Sequence, residues 1–153
     1  MDISRRAVLL GFLALGVVAQ LRGALAADAA AAGGKRVTLA GYDPVSYFTA
    51  GRPEKGSAAF TATYDGATYW FKNAEHRALF VADPDRYAPQ FNGFCAMSLA
   101  RGEKVESDPE SWAIADGKLY VFGKRIGPAM FAEQRASTIE MATQNWREVR
   151  KFP

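Results

Sequence analysis

The sequence is poor in the residues that build disulfides and metal clusters. It contains one cysteine, Cys95, and one histidine, His76. A single cysteine excludes an internal disulfide, and one cysteine with one histidine is too few for a self-contained four-ligand zinc site. Cys95 is therefore a free thiol, a ligand, an intermolecular partner or a small buried hydrophobic residue.

The sequence also lacks an apolar run near its start that is long enough for a membrane span. The uncharged run from Ala7 to Leu21 is shorter than the ~20 residues that a span needs. Ser4-Arg5-Arg6 precedes this run and Ala24-Leu25-Ala26 follows it. A charged start, an apolar centre and a small-residue cleavage site are typical of an export signal, so we predict a cleaved signal peptide over residues 1–26.

The paired arginines Arg5 and Arg6, with Val8 and Leu9 behind them, are typical of the twin-arginine route, which is a receptor-read address. An ordinary secretory signal and an uncleaved anchor are the alternatives. We expect the twin-arginine export machinery as a partner, and a location in the periplasm or cell envelope of a bacterium. No stable membrane span is expected after cleavage.

The charge of the chain after cleavage does not predict a nucleic-acid partner. Removal of residues 1–26 takes away Arg5, Arg6, Arg22 and Asp2, which leaves 16 basic and 15 acidic residues and a net charge of +1. Such a balance, with no basic run among aromatics, does not indicate nucleic-acid binding. We expect a flexible lead over residues 27–36 and one domain over residues 37–153, with no internal repeat.

Two β-hairpins are predicted from turn chemistry. Asp65-Gly66 separates the β-rich runs 60–64 and 67–71, and Asp116-Gly117 separates 112–115 and 118–122. Asp-Gly between such runs indicates a tight hairpin turn, because that turn needs positive φ.

Helices are predicted from caps and spacing. Each of the Asp-Pro pairs at positions 43, 83 and 108 is expected to begin a helical turn. Asn73 is predicted to cap a helix through Val81, with Leu79 and Phe80 facing inward. Residues 128–149 are predicted to be helical, with a break near a capping box at Ser137 and Glu140. The chain is therefore predicted to be a small α+β domain of antiparallel hairpins packed against helices, with a helical C-terminus.

The run from Phe91 to Met97 is the main candidate site. It contains the only cysteine, Cys95, and a thioether, Met97, after a bend expected at Gly93. Soft sulfur ligands together with the imidazole of His76 would suit copper(I), zinc or haem iron. The alternative interpretations are a buried connecting strand for this run and an ordinary surface histidine for His76.

The order of these motifs resembles the YHS domain family, in particular an exported branch of it. The resemblance runs from about Tyr42 to Trp146 and depends on short motifs in a fixed order. Those motifs are Asp43-Pro44-Val45, Tyr64-Asp65-Gly66-x-x-Tyr69-x-Phe71, Asn73, Phe80, Asp83-Pro84-x-x-Tyr87, Gly93-Phe94-Cys95-Ala96, Asp108-Pro109-x-x-Trp112, Asp116-Gly117-Lys118-Leu119-Tyr120 and Asn145-Trp146.

The resemblance implies a small α+β module of the kind found beside metal-handling machinery, for which metal binding is often proposed. Members of the metal-binding type carry a cysteine after Asp-Pro-Val and a Cys-x-x-x-Cys after the second hairpin strand. Here those positions hold Ser46, Lys72 and His76, so His76 is the one retained ligand type.

Three functions follow from the sequence. The first is an exported YHS-like binding domain for a metal ion or metal-bearing ligand, without catalysis, with Cys95, His76 and Met97 as the candidate ligands. The second is a cell-envelope protein-interaction module in which Cys95 is buried and inert. The third is a thiol-dependent redox protein, which would lack a second cysteine to resolve an oxidised intermediate.

Overall fold

The computed structural model describes residues 36–152. These residues form an α+β domain of two antiparallel β-hairpins and six α-helices, which confirms the predicted fold class. The elements follow one another in the order α1 (Ser46–Thr49), β1 (Ser57–Tyr64), β2 (Ala67–Phe71), α2 (Ala74–Ala82), α3 (Pro84–Tyr87), α4 (Ala96–Leu99), β3 (Asp108–Ala115), β4 (Lys118–Phe122), α5 (Gly127–Glu133) and α6 (Arg135–Val149). Two short 3₁₀ turns, Thr38–Gly41 and Gln90–Gly93, precede α1 and α4.

The domain consists of two halves with the same order of elements. Each half, 38–82 and 90–133, runs from a 3₁₀ turn through a short helix and a β-hairpin to another helix. Both hairpins carry a register shift at the same place, after Ser57 in the first and after Asp108 in the second, 51 residues further on. The expectation that the chain has no internal repeat is therefore wrong.

The two 3₁₀ turns share an unusual backbone. Leu39 and Ala40 in the first turn have φ of 56° and 48°, and Phe91 and Asn92 in the second have φ of 54° and 55°. This is the left-handed region that non-glycine residues rarely adopt. Gly93, with φ of 75°, ends the second turn and confirms the bend predicted there. Because both halves adopt the same strained turn, the strain belongs to the repeated unit.

The hairpin turns are confirmed, and two of the three Asp-Pro pairs begin helical turns. Asp43 Oδ1 accepts a hydrogen bond from Val45 N at 2.8 Å before α1, and Asp83 caps α3. The prediction of a helical turn at Asp108 and Pro109 is wrong, because these residues open β3. Pro109 directly follows Asp108, which pairs with Phe122, and the strand register shifts at this point. Proline has no N–H to donate to the neighbouring strand, so it is tolerated at such a bulge.

The predicted helix after Asn73 is present as α2. The Asn73 side chain accepts a hydrogen bond from His76 N at 2.8 Å, and Phe80 is buried. The prediction that Leu79 faces inward is wrong, since that side chain is 37% exposed. His76 and Phe80 lie four residues apart on the buried face, and a one-residue step rotates Leu79 about 100° away from it.

The predicted C-terminal helix is divided into α5 and α6. The break falls at Gln134, with φ of −131°, three residues before the predicted position at Ser137. The Ser137 hydroxyl donates to the Gln134 carbonyl at 3.0 Å and does not form the expected capping box with Glu140. The apolar face of α6 packs on the core as predicted through Ile139, Ala142, Trp146 and Val149.

An aromatic contact joins the two halves. Tyr47 of the first half packs edge-on against Trp112 of the second, with ring centroids 5.2 Å apart. The buried Tyr47 hydroxyl donates to the Pro109 carbonyl at 3.0 Å. Burial, with a smaller contribution from Glu110, raises the pKa of this phenol well above its ordinary value.

Arg36 connects the start of the described chain to the second half. Its guanidinium pairs with Glu106 at 2.6 Å, donates to the Asn92 carbonyl at 2.7 Å and covers the Phe94 ring at 3.8 Å. Arg36 therefore belongs to the domain. The rest of the predicted lead and the signal residues Ser4, Arg5 and Arg6 lie outside the described residues. Across residues 36–152, none of the helices is both long and apolar enough to span a membrane.

Candidate functional site

Asp43 lies at the centre of a buried hydrogen-bond network in the first half. Its carboxylate accepts hydrogen bonds from Val45 N at 2.8 Å and from Lys72 N at 2.9 Å, and Oδ2 lies 2.7 Å from Nδ1 of His76. Asp43 has no exposed surface, and His76 is 7% exposed. The interpretation of His76 as a surface histidine is wrong.

Three positions that the YHS resemblance singles out converge on this network. The Ser46 hydroxyl donates to the Asp43 carbonyl at 2.7 Å, and Lys72 and His76 bond to the Asp43 carboxylate. Lys72 Nζ also pairs with Glu54 at 2.6 Å. This hydrogen bond, together with a second one from Arg52, holds the pKa of Glu54 below its ordinary value. Each of these groups already has a partner, so the network has a structural role.

Cys95 takes the place of Asp43 in the second half. The backbone N–H of Asp43 donates to the Glu54 carbonyl and that of Cys95 donates to the Val105 carbonyl, both at 2.9 Å. Cys95 is 4% exposed, and its thiol makes no hydrogen bond within residues 36–152. The second half therefore has a buried thiol where the first has a fully bonded carboxylate.

A glycine, Gly123, lies beside this thiol. The residues 51 positions after Lys72 and His76 are Gly123 and Gly127. A Cβ atom on Gly123 would lie 3.8 Å from Cys95 Sγ, which places Gly123 directly against the thiol. At this spacing the sequence has glycine where the first half has Lys72 and His76.

A cavity of about 300 Å³ lies beside Cys95 and Gly123. Three sulfur-bearing side chains, Cys95, Met97 and Met130, line it. Within the described part of the chain, its charged lining residues are Arg101 and Lys124. The remaining lining residues are small or apolar: Ser98, Val105, Phe122, Gly123, Ile126 and Gly127. An apolar cavity with few polar groups is the usual form of a small-ligand site.

The thioether of Met97 is held in place by a hydrogen bond from α6. Its sulfur accepts a hydrogen bond from the Thr138 hydroxyl at 3.8 Å, which ties α4 to α6. Asn145 reinforces the same contact by donating to the Leu99 and Ala100 carbonyls at 2.8 Å and 3.3 Å. The wall of the cavity around Met97 is therefore held by side-chain bonds as well as by packing.

The candidate ligands predicted from the sequence are distributed over two places. Cys95 and Met97 line the same cavity, whereas His76 bonds to Asp43 in the first half and is not among the lining residues. Between Arg36 and Phe152 no three His, Cys, Asp or Glu side chains are grouped so that they could hold a metal ion. The interpretation of residues 91–97 as a connecting strand is wrong, since they form a 3₁₀ turn and the start of α4.

Sequence reasoning missed Met130 and the repeat. Met130 lies 35 residues after Cys95, and no local pattern connects the two. The repeat had a visible signal, because Asp-Gly-x-x-Tyr-x-Phe occurs at Asp65 and again at Asp116. When the two 3₁₀ turns are aligned at their final glycines, Gly41 and Gly93, Asp43 of the first half corresponds to Cys95 of the second.

A second, smaller cavity of about 140 Å³ lies among Tyr64, Asp65, Asp85 and Trp146. Its carboxylates already have partners, because Asp65 pairs with Arg150 and Asp85 accepts a hydrogen bond from Tyr64. The Cys95 cavity is therefore the stronger candidate site.

Comparison of the chain with protein-family models, with curated proteins and with solved structures gave no match.

Proposed function

We propose that the protein is an exported YHS-like binding domain that holds a small ligand in the Cys95 cavity, without catalysis. The ligand is a metal ion or a metal-bearing group. The proposal is supported by a difference between the two halves. In the first half, Asp43 and His76 bond to each other. In the second half, Cys95 lines a cavity together with two methionines. A buried thiol facing such a cavity is placed to act as a ligand.

The test uses protein recovered after export by its own signal. Elemental analysis and native mass spectrometry should find a metal or an added mass in the natural protein and not in Cys95→Ser. Gln134→Ala, a change at the break between α5 and α6 and away from the lining residues, serves as the folded control. Recovery of the natural protein without any metal or added mass would contradict the proposal.

The second candidate is the interaction module of the cell envelope. It is favoured by three large apolar side chains on the lining of the cavity, Val105, Ile126 and Met130, which are 42%, 59% and 38% exposed. Exposed apolar groups gathered in one place indicate a contact surface. For this function, Ile126→Ser should abolish capture of an envelope partner while Cys95→Ser leaves it unchanged.

A further inference from the structure

We infer that the ligand is a single copper(I) ion held by the thiolate of Cys95 and the thioethers of Met97 and Met130, an inference that rests on the proposed function. These three side chains come from the residue before α4, from α4 and from α5, and the fold brings all of them to one cavity. Thiolate and thioether are soft ligands, and soft ligands select copper(I).

The donor set does not suit zinc. Structural zinc takes four ligands from thiolate, imidazole and carboxylate. The described residues that line this cavity offer one thiolate and neither of the other two. The only histidine of the sequence, His76, is engaged with Asp43. Copper(I) accepts thioether ligands and low coordination numbers, which is what two methionines and one cysteine provide.

The charge of the cavity favours a monovalent ion. Among residues 36–152 no carboxylate lines it, and the two charged lining residues, Arg101 and Lys124, are both cationic. Copper(I) with one thiolate is neutral as a pair, whereas a divalent ion with one thiolate keeps a positive charge beside two cations. Like charges repel, so the two cationic side chains favour the neutral pair over a divalent ion.

Binding replaces the thiol proton of Cys95 by the metal, and that proton passes to solvent. No oxidation or reduction takes part, provided that copper is supplied as copper(I).

The experiment is an anaerobic titration of copper(I) into the exported protein in competition with a coloured copper(I) chelator. One equivalent should bind, and Cys95→Ser should lose binding. Met97→Leu and Met130→Leu keep the side-chain volume, and each should weaken binding by more than the roughly 10-fold that loss of an outer partner costs. Met141→Leu is the matched control, because Met141 is 49% exposed and lies outside the cavity.

The outcomes separate this inference from the proposed function. X-ray absorption should show copper coordinated by sulfur alone. Copper(I) binding that neither Met97→Leu nor Met130→Leu weakens would overturn the three-sulfur site. Absence of copper(I) binding, with zinc or haem iron present in the recovered protein but not in Cys95→Ser, would overturn copper and leave the proposed function intact. Absence of any bound metal or added mass would overturn both.

Discussion

Nδ1 of His76 lies 2.7 Å from Oδ2 of Asp43, a contact between residues 33 positions apart in the chain. The same carboxylate accepts two backbone N–H groups, so it fixes the start of α1, the end of β2 and the first turn of α2 together. In the second half the equivalent residue is Cys95, which makes none of these bonds. One copy of the unit uses this position for stability, and the other leaves it open to a cavity.

Loss of the Asp43 carboxylate should strongly destabilise the fold. Asp43→Ala removes the partner of the buried Val45 N–H, of the partly buried Lys72 N–H and of the His76 imidazole. Each unsatisfied buried group costs about 1–3 kcal/mol. We expect the free energy of unfolding to fall by about 3 kcal/mol or more, measured by urea denaturation. Asp85→Ala, which removes an exposed carboxylate on α3, should change it by less than about 1 kcal/mol. Equal effects of the two substitutions would contradict the structural role of Asp43.

The loss of stability on replacing a glycine should depend on the room for a Cβ atom as well as on the backbone φ. Gly66 and Gly117 have φ of 79° and 72°, and a Cβ added at either would have no neighbouring atom within 4 Å, so Val at either position should cost roughly 1 kcal/mol from the backbone alone. A Cβ on Gly93 would also lie 2.6 Å from Thr38 Cγ2 in the buried contact between the 3₁₀ turns. Gly93→Ala should therefore destabilise more than Gly66→Ala in thermal unfolding. The reverse order would argue against the packing of the two turns.

The stability of the fold should decrease in alkaline solution. Burial raises the pKa of Tyr47 and of Tyr69 well above the ordinary value, so both phenols keep their protons in the folded state. Unfolded tyrosines lose theirs near pH 10, so this contribution to stability is present below about pH 10 and is lost as the pH rises further.

A titration to high pH tests this, with tyrosinate absorbance to follow ionisation and circular dichroism to follow unfolding. The last tyrosines to ionise should do so only as the fold is lost. Tyr47→Phe is the informative variant, because it removes one raised group and should flatten the decrease of stability above about pH 10. Full ionisation of all six tyrosines in the folded protein would refute the burial argument.

Cys95 should react with small thiol reagents without unfolding. It is 4% exposed but lines an open cavity, so methyl methanethiosulfonate should reach it faster than the protein unfolds, while a bulky reagent should not. Mass spectrometry after short exposure measures both rates. Reaction of both reagents only at the rate of unfolding would show an inert buried thiol, as the interaction module requires.

Export should depend on the guanidinium pair near the N-terminus. If the twin-arginine prediction is correct, Arg5→Lys together with Arg6→Lys should leave the precursor in the cytoplasm, because the receptor reads guanidinium groups and not charge alone. Cell fractionation measures this, with Arg22→Lys as the control outside the motif. Normal export of the double variant would exclude that route and leave an ordinary signal peptide.

The parts of the fold that depend on neighbouring residues could be predicted. Asp65-Gly66 and Asp116-Gly117 determine their turns by backbone dihedral preference, and Asn73 caps α2 through a donor three residues away. Predictions failed where the same short motif is compatible with two kinds of secondary structure. The Asp-Pro pair at position 108 can begin a helix or a strand, and pairing with Phe122 decides for the strand.

The candidate site could be predicted only in part, because its ligands are far apart in the chain. Cys95 and Met97 are two residues apart, so one short run of sequence indicates both, whereas Met130 reaches the cavity through the packing of α5 against the second hairpin. His76 is a candidate for this site from the sequence because it is the only imidazole, and the structure places it against Asp43.

The sequence by itself determined the two hairpins, the α+β class and the presence of a single thiol, since these follow from residue identity and from interactions over a few positions. Only the tertiary structure decided that Asp43 and His76 bond to each other in one half, and that Cys95, Met97 and Met130 line one cavity in the other. The physical reason is that burial and long-range contacts depend on how whole elements pack, and one local sequence is compatible with several packings until the rest of the chain selects among them.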